Sequence, residues 1–151
     1  MIRCTPQSIC SWDFQLEGEG HRASTQCNWA SEQGSIVADG VDFDVSKHGL
    51  GSGRWTLERA GEVITTAQKA TLRRTFELES PMGPLLLQAE SMFGRAFRLE
   101  RSGRAVASVR TEHAFTRRAT IELHEVDLHW PTVCFSFWLA VVTWRRAARS
   151  N

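Results

Sequence analysis

Two pairs of adjacent arginines carry the clearest chemical signal in the sequence. Arg73 and Arg74 form one pair, and Arg117 and Arg118 form the other. Guanidinium groups suit phosphate because their planar N–H forks can donate two hydrogen bonds at once. Clustered cations also gain about 1 kcal/mol each at an anionic membrane surface. The four arginines are therefore candidate anion-binding residues, with a phospholipid headgroup as one ligand of matching chemistry.

An alternative interpretation makes these arginines solvated parts of turns and strand faces. Possible acidic partners are spread through the same region, namely Glu58, Glu77, Glu100 and Glu122. Exposed Arg–Glu pairs are common and stabilise a protein by about 0–1 kcal/mol. The chain also uses Arg in preference to Lys throughout, as a GC-rich genome would produce. On the sequence alone, this second interpretation is the simpler one.

Other motifs do not predict a catalytic or metal site. HEVDLH (124–129) is similar to the zinc-protease pattern HExxH, but its second His comes one residue late. On a helix that spacing turns the two imidazoles about 140° apart, so we interpret the segment as an exposed linker. HGLGSG (48–53) fits no nucleophile or phosphate-binding motif and predicts a loop. Asp42 and Asp44 alternate with apolar residues, which places them on the solvent-exposed face of a predicted strand.

Composition narrows the class of protein further. A net charge of +1 over 151 residues gives no indication of nucleic-acid binding, although residues 1–50 are acidic and residues 101–151 are basic. The four cysteines lack a C-x-x-C motif, and MIRCTPQSIC has no apolar h-region, so we expect no secretory signal. We therefore expect a single cytoplasmic domain over residues 1–151 that is monomeric, without cofactor or metal. Residues 1–10 are a candidate disordered segment, and EGEGHRAST reads as a loop.

The sequence predicts short strands on either side of the Arg-Arg pairs. GRWTLERAGEV matches GRAFRLERSGRAV, and RRTFELES matches RRATIELHE, which predicts two tandem copies of one unit at about 39–80 and 82–124. Apolar and polar residues alternate within each copy, and RAGE and RSGR place glycine where a tight hairpin needs positive φ. AGEVITTAQKATL has a β-branched centre and also favours a strand.

The most apolar segment is PTVCFSFWLAVVTWRR, Pro131 to Arg146. It is apolar on every side of a helical wheel, which is typical of a membrane span or a buried core helix. Its uncharged run of twelve residues covers about 18 Å, whereas the hydrocarbon core of a bilayer is about 30 Å thick. We therefore predict a helix at about 131–148 inside the protein, with a C-terminal membrane anchor as the alternative.

Together these patterns predict an all-β fold with one helix. We predict a closed antiparallel β-barrel of about 8–12 strands around a buried hydrophobic C-terminal α-helix. The helix is needed because strand side chains alone cannot fill so wide a lumen. The tandem Gly-Arg and Leu-Glu-Arg-x-Gly hairpins, the Arg-Arg turns and the apolar terminal helix resemble the tubby C-terminal-like superfamily. That group includes the tubby proteins, phospholipid scramblases and LURP-one-related proteins. The resemblance covers roughly 35–148, is architectural, and implies a twelve-stranded barrel around a central helix.

Three functional hypotheses follow from the sequence. The first is a non-enzymatic, bacterial-type binding or scaffold module that engages anionic phospholipid headgroups at the membrane surface through Arg73, Arg74, Arg117 and Arg118. The second is a tail-anchored membrane protein with a cytoplasmic β-domain. The third, the weakest, is a hydrolase whose site is assembled in space from distant residues. No family lipid-binding residue can be placed on a position of this chain.

Overall fold

The structure, a computed structural model, describes residues 1–28 and 30–150. Within this part of the chain, twelve strands precede one helix. The strands are β1 (Ile2–Pro6), β2 (Phe14–Gly18), β3 (His21–Asn28), β4 (Gln33–Ala38), β5 (Val41–His48), β6 (Arg54–Arg59), β7 (Glu62–Lys69), β8 (Thr75–Ser80), β9 (Gly83–Ala89), β10 (Phe97–Arg101), β11 (Arg104–Thr111) and β12 (Ala119–Leu123). The helix α1 is Trp130–Arg149.

The sheet is a closed antiparallel barrel. Each strand pairs with its neighbours in the sequence, and β1 pairs with β12 to close the ring. Ile2 faces Ile121 across that closing seam, and Cys4 faces Ala119. Closure leaves no unpaired strand edge, which removes the usual site of edge-to-edge association. The predicted fold class is confirmed, at the upper end of the predicted strand number.

The two matched hairpins of the sequence share their backbone irregularities. In the β6–β7 hairpin the register shifts between Leu57 and Glu58, and in the β10–β11 hairpin it shifts between Leu99 and Glu100. The turns then place Ala60–Gly61 and Ser102–Gly103 at positive φ. Positive φ at both central residues is the geometry of a tight two-residue hairpin turn, as the glycines predicted. The longer tandem repeat stays a prediction.

The terminal helix fills the lumen of the barrel. Every side chain from Thr132 to Trp144 is at most 8% exposed. The few polar groups in this stretch are satisfied internally: the Ser136 hydroxyl donates to the Thr132 carbonyl at 2.9 Å, and Thr132 shares a 3.0 Å hydrogen bond with Thr65 of β7. The apolar run therefore packs against the barrel's own interior. No helix among the described residues is both long and apolar enough to cross a bilayer.

Three indole N–H groups fix the depth of the helix in the barrel. Trp130 donates to the carbonyl of Arg22 at 3.1 Å, Trp138 to that of Gln26 at 3.1 Å, and Trp144 to that of Arg95 at 2.9 Å. A buried Trp needs a partner for its N–H, and here each partner is a backbone carbonyl of the wall. The three tryptophans are eight and six residues apart, about two helical turns in each case, and their bonds stabilise one position of the helix along the axis.

The first thirty residues differ from the sequence prediction. Residues 2–6 form β1, with Ile2 and Cys4 buried, whereas the sequence marked residues 1–10 as a candidate disordered segment. EGEGHRAST is a hairpin, since β2 ends at Gly18 and β3 begins at His21. A strand of five residues is too short to show a clear alternation of apolar and polar residues in the sequence. Its order comes instead from its pairing with β12 and β2.

The connecting segments alternate between the two ends of the barrel because successive strands run in opposite directions. We call one end the loop end; its described segments are 7–13, 30–32, 49–53, 70–74, 90–96 and 112–118. The C-terminus of α1 lies there too, because Trp144 reaches Arg95. We call the other the hairpin end; its segments are 19–20, 39–40, 60–61, 81–82, 102–103 and 124–129.

Candidate functional site

The structure brings the two Arg-Arg pairs to the same end of the barrel. Arg73 and Arg74 close the β7–β8 segment, and Arg117 and Arg118 close the β11–β12 segment. Both segments belong to the loop end. The four side chains nevertheless divide into two kinds, one that holds neighbouring loops in place and one that faces solvent.

Arg74 holds the β9–β10 loop. Its Nη1 donates to the carbonyl oxygens of Ser91, Met92 and Gly94 at 3.3, 3.1 and 2.6 Å. Its guanidinium also lies 5.5 Å from the ring centroid of Phe97, a cation–π distance. Burial lowers the pKa of Arg74 from its ordinary value, but Arg remains charged at any physiological pH. The side chain is therefore a clamp between two loops.

Arg117 does the same for the β1–β2 loop. Its Nη1 donates to the carbonyl oxygens of Ile9 and Ser11 at 3.2 and 3.0 Å. The guanidinium stacks over the Trp12 ring at 4.2 Å. Sequence matching pairs Arg117 with Arg73, yet in the structure its counterpart is Arg74. Arg74 and Arg117 thus have their donors engaged in holding the loop end together.

Arg73 and Arg118 are the exposed members of the two pairs. Neither side chain forms a hydrogen bond or ion pair with another of the described residues, and the same holds for Arg149 in the last turn of α1. Their N–H groups point into solvent and are available to an anion. Of the four predicted residues, these two are exposed, and their anion-binding role stays a prediction; Arg149, which the sequence associated only with the end of the helix, is exposed as well.

Acidic side chains at the loop end are mostly engaged within the protein. Asp13 accepts a hydrogen bond from the Cys27 backbone N–H at 3.0 Å, and Glu90 pairs with Arg110 at 2.9 Å. Glu32 accepts two hydrogen bonds from Arg146, both at 2.6 Å, and one from Lys47 at 2.7 Å. The Arg146 hydrogen bonds, helped by Lys47, lower the pKa of Glu32 from 4.5 to about 2 against the opposing effect of burial.

The two ends of the barrel differ in charge. The described segments of the loop end, with the last five residues of α1, carry eight arginines and four acidic residues. The arginines are Arg73, Arg74, Arg95, Arg117, Arg118, Arg145, Arg146 and Arg149. The hairpin-end segments carry four acidic residues and no Arg or Lys: Glu19, Asp39, Glu125 and Asp127. The connecting segments at the two ends therefore carry opposite net charge, although arginines of the adjoining strands, such as Arg22 and Arg59, flank the acidic segments.

Each Arg pair lines an open depression between two loops. One, of about 470 Å³, lies between Leu72–Arg74 and the Glu90–Met92 stretch. The other, of about 550 Å³, lies between Ser8–Ile9 and Phe115–Arg118. In both, a pair of arginines stands next to exposed apolar side chains from either loop. This combination suits a ligand with an anionic group joined to an apolar body.

The remaining sequence motifs lie elsewhere. HEVDLH forms the connection between β12 and α1 at the hairpin end, and HGLGSG covers the end of β5 and the following loop. Asp42 and Asp44 are on the exposed face of β5. No group of three or more His, Cys, Asp or Glu that could hold a metal ion occurs among residues 1–28 and 30–150.

Three hydroxyl–imidazole pairs occur among the described residues, Thr56–His48, Thr132–His129 and Ser108–His124, and only the last involves a serine. Ser108 Oγ lies 2.9 Å from His124 Nε2 on the outer wall of the barrel. A hydrolytic site would also need a group that orients the imidazole. Within the described part of the chain, no carboxylate hydrogen-bonds to His124. Ser108 is 7% exposed, and the pair joins β11 to the connection that follows β12.

Sequence reasoning missed the apolar side chains beside the arginines. Ile9, Leu72, Met92 and Phe115 line the two depressions. A single apolar residue in a polar loop shows no periodicity, so no sequence pattern separates it from an ordinary surface residue. The alternating direction of successive antiparallel strands would have revealed the site, because it determines which loops lie at the same end of the barrel.

Comparisons of the chain with known protein families, with curated proteins and with solved structures found no match.

Proposed function

We propose that this protein is a non-enzymatic binding module that attaches peripherally to anionic phospholipid surfaces through its loop end. The observation that carries the proposal is the separation of charge between the two ends of the barrel. At the loop end Arg73, Arg118 and Arg149 are exposed, whereas three of the four acidic residues, Asp13, Glu32 and Glu90, are hydrogen-bonded or ion-paired within the protein. The cytoplasmic leaflet is the anionic surface that such a module would meet in a cell.

The position of α1 supports peripheral attachment over a tail anchor. Its apolar side chains are enclosed by the barrel wall, so releasing the helix into a bilayer would expose the lumen to water. Membership of the tubby-like superfamily is part of the same proposal. It is supported by a twelve-stranded barrel around a C-terminal helix, the architecture that the resemblance implies.

A vesicle-binding experiment tests the proposal. We expect cosedimentation with phosphatidylcholine vesicles that contain phosphatidylserine, and none with phosphatidylcholine alone. The Arg73→Ala/Arg118→Ala double variant should lose about 2 kcal/mol of binding free energy, roughly thirtyfold in affinity. Binding should also weaken as salt rises from about 0.1 M to about 1 M, which shortens the Debye length from about 10 Å to about 3 Å.

A matched control is available at the hairpin end. Arg22→Ala/Arg59→Ala removes the same charge from two exposed arginines of the opposite end and should leave binding nearly unchanged. Inorganic phosphate, added as a competitor, separates a headgroup surface from a site for free phosphate, since only the latter is saturated at low phosphate concentration. Equal binding to neutral and anionic vesicles, or equal losses in the two double variants, would contradict the proposal.

A further inference from the structure

The large exposed apolar side chains of this protein are concentrated at one end of the barrel. Six of them at the loop end are at least 79% exposed. They are Ile9, Leu50, Leu72, Met92, Phe93 and Phe115. In the hairpin-end segments Val126 alone is comparably exposed among the described residues. Single exposed apolar residues are ordinary on a protein surface, but their segregation to one end is not.

These side chains lie on five different loops. Ile9 belongs to the β1–β2 loop, Leu50 to β5–β6, and Leu72 to β7–β8. Met92 and Phe93 belong to β9–β10, and Phe115 to β11–β12. Among the described residues, every loop around the mouth of the barrel except β3–β4 therefore carries an exposed apolar projection.

The arginine clamps fix this arrangement. Arg74 binds the backbone of Ser91, Met92 and Gly94, and these residues flank and include the exposed positions of the β9–β10 loop. Arg117 binds the backbone of Ile9 itself. A loop held by its carbonyls cannot easily turn its apolar side chain inward. The projections of the β1–β2 and β9–β10 loops are therefore pre-organised, which lowers the entropy lost when they meet a partner.

We infer that the loop end inserts into the bilayer: the apolar projections enter the boundary between headgroups and acyl chains, and the exposed arginines stay at the level of the phosphates. This inference rests on the proposed function and specifies how the surface is bound. The barrel axis would then stand across the plane of the membrane, with the acidic hairpin end directed away from it. Arg73 lies next to Leu72 in the chain, so charge and apolar surface are presented together.

Charge and geometry favour a bilayer over a second copy of this chain. Two loop ends facing each other would bring two sets of eight arginines together, which like-charge repulsion opposes. An anionic membrane instead complements that charge. Separate projections also suit a fluid phase, which closes around each one, whereas a protein interface needs a continuous complementary patch.

Site-specific labelling measures the insertion directly. In a Cys10→Ser/Cys27→Ser background, which removes the two thiols that are not fully buried, we would introduce Leu72→Cys or Phe115→Cys and attach the environment-sensitive dye NBD. The control is Val126→Cys at the hairpin end. With phosphatidylserine-containing vesicles, NBD at 72 and 115 should shift to the blue and be quenched by nitroxide-labelled lipids. NBD at 126 should change in neither respect.

A second experiment measures vesicle partition in protein that keeps its native cysteines. Phe93→Ser/Phe115→Ser should lower the vesicle partition coefficient roughly tenfold to a hundredfold, since each aromatic side chain loses much of its transfer free energy. Val126→Ser should leave it unchanged. All three side chains are solvent-exposed, so circular dichroism should show the same fold in each variant.

The outcomes separate this inference from the proposed function. If the protein binds anionic vesicles but NBD at 72 and 115 stays in water, the proposed function stands and insertion is wrong. If the protein does not bind anionic vesicles, both are wrong. If Phe93→Ser/Phe115→Ser converts a dimer in solution to a monomer without affecting partition, the occupant of the loop end is a second copy, and the inference is overturned.

Discussion

At the scale of single residues, the structure separates arginines that look alike in the sequence. Arg73 and Arg74 are adjacent, yet one is exposed and the other donates three hydrogen bonds to a neighbouring loop. The sequence could predict that Arg-Arg pairs matter, because their spacing recurs. It could not predict which member is free, because that depends on which side chain points toward the lumen as its strand begins.

The ion pairs of Glu32 with Arg146 and Lys47 predict how the stability of the fold depends on pH. The pKa of Glu32 is lowered from 4.5 to about 2, so this carboxylate stabilises the folded state at pH above 4.5, and the contribution is lost as pH falls toward about 2. Glu32→Gln should reduce the free energy of unfolding by about 2 kcal/mol at pH 7, allowing for solvent screening. Urea denaturation should show this difference shrinking steadily between pH 4.5 and 2.

Glu62→Gln serves as the control for that experiment. Glu62 is exposed at the start of β7 and makes no ion pair with another described residue. Its replacement should change stability by less than about 0.5 kcal/mol at pH 7. A Glu32→Gln protein that matches wild type at pH 7 would contradict the stabilising role assigned to the Arg146 and Lys47 contacts.

At the scale of elements, the alternation of side chains was enough to predict most of the strands. Phe76 and Leu78 are buried on β8, as are Phe97 and Leu99 on β10, and the β-branched stretch after Gly61 is β7. The apolar terminal helix was predicted within one residue of its bounds at each end. The strand β1 was missed, because its order comes from partners distant in the chain.

The β6–β7 turn provides a prediction on backbone geometry. Ala60 has φ 50°, a left-handed conformation that a Cβ atom disfavours and that Asn tolerates better. Ala60→Asn should stabilise the protein by about 0.5–1 kcal/mol. Gly61 has φ 83° with open space around it, so Gly61→Ala should destabilise it by about 1 kcal/mol through backbone strain alone. Urea denaturation midpoints check both values.

Ser102 and Gly103 occupy the same geometry in the β10–β11 turn, with φ 52° and 78°. Ser102→Asn and Gly103→Ala should therefore reproduce the two shifts in direction and size. A destabilising Ala60→Asn would show that the residue at this position is constrained by something other than its backbone conformation.

At the scale of the whole molecule, the barrel and the helix depend on each other. The wall supplies carbonyl partners for Trp130, Trp138 and Trp144, and the helix supplies the core that the wall encloses. The sequence predicted this relation because the lumen of a wide barrel needs a filler. It could not predict the separation of charge between the two ends, because that emerges only when the number and direction of all strands are known.

A charge placed on the helix tests this dependence. Ala140 is completely buried, so Ala140→Glu introduces an unpaired carboxylate into the lumen at a cost of several kcal/mol. Since a domain of this kind is stable by about 5–15 kcal/mol, we expect loss of cooperative unfolding and of near-UV circular dichroism. Ala147→Glu, on the exposed last turn of the same helix, should fold normally. A well-folded, soluble Ala140→Glu protein would favour the tail-anchor alternative.

The seam between β1 and β12 has a consequence for biosynthesis. Strand β1 is made first, and its second neighbour in the barrel, β12, is made last among the strands. The helix that covers the inner wall is translated later still. Local hairpins can form as the chain leaves the ribosome, but the ring cannot close until β12 has been made, and long-range pairing of this kind is slow. Until α1 is made, the apolar inner wall of the nascent sheet therefore has no core to pack against, and we expect such intermediates to be prone to aggregation.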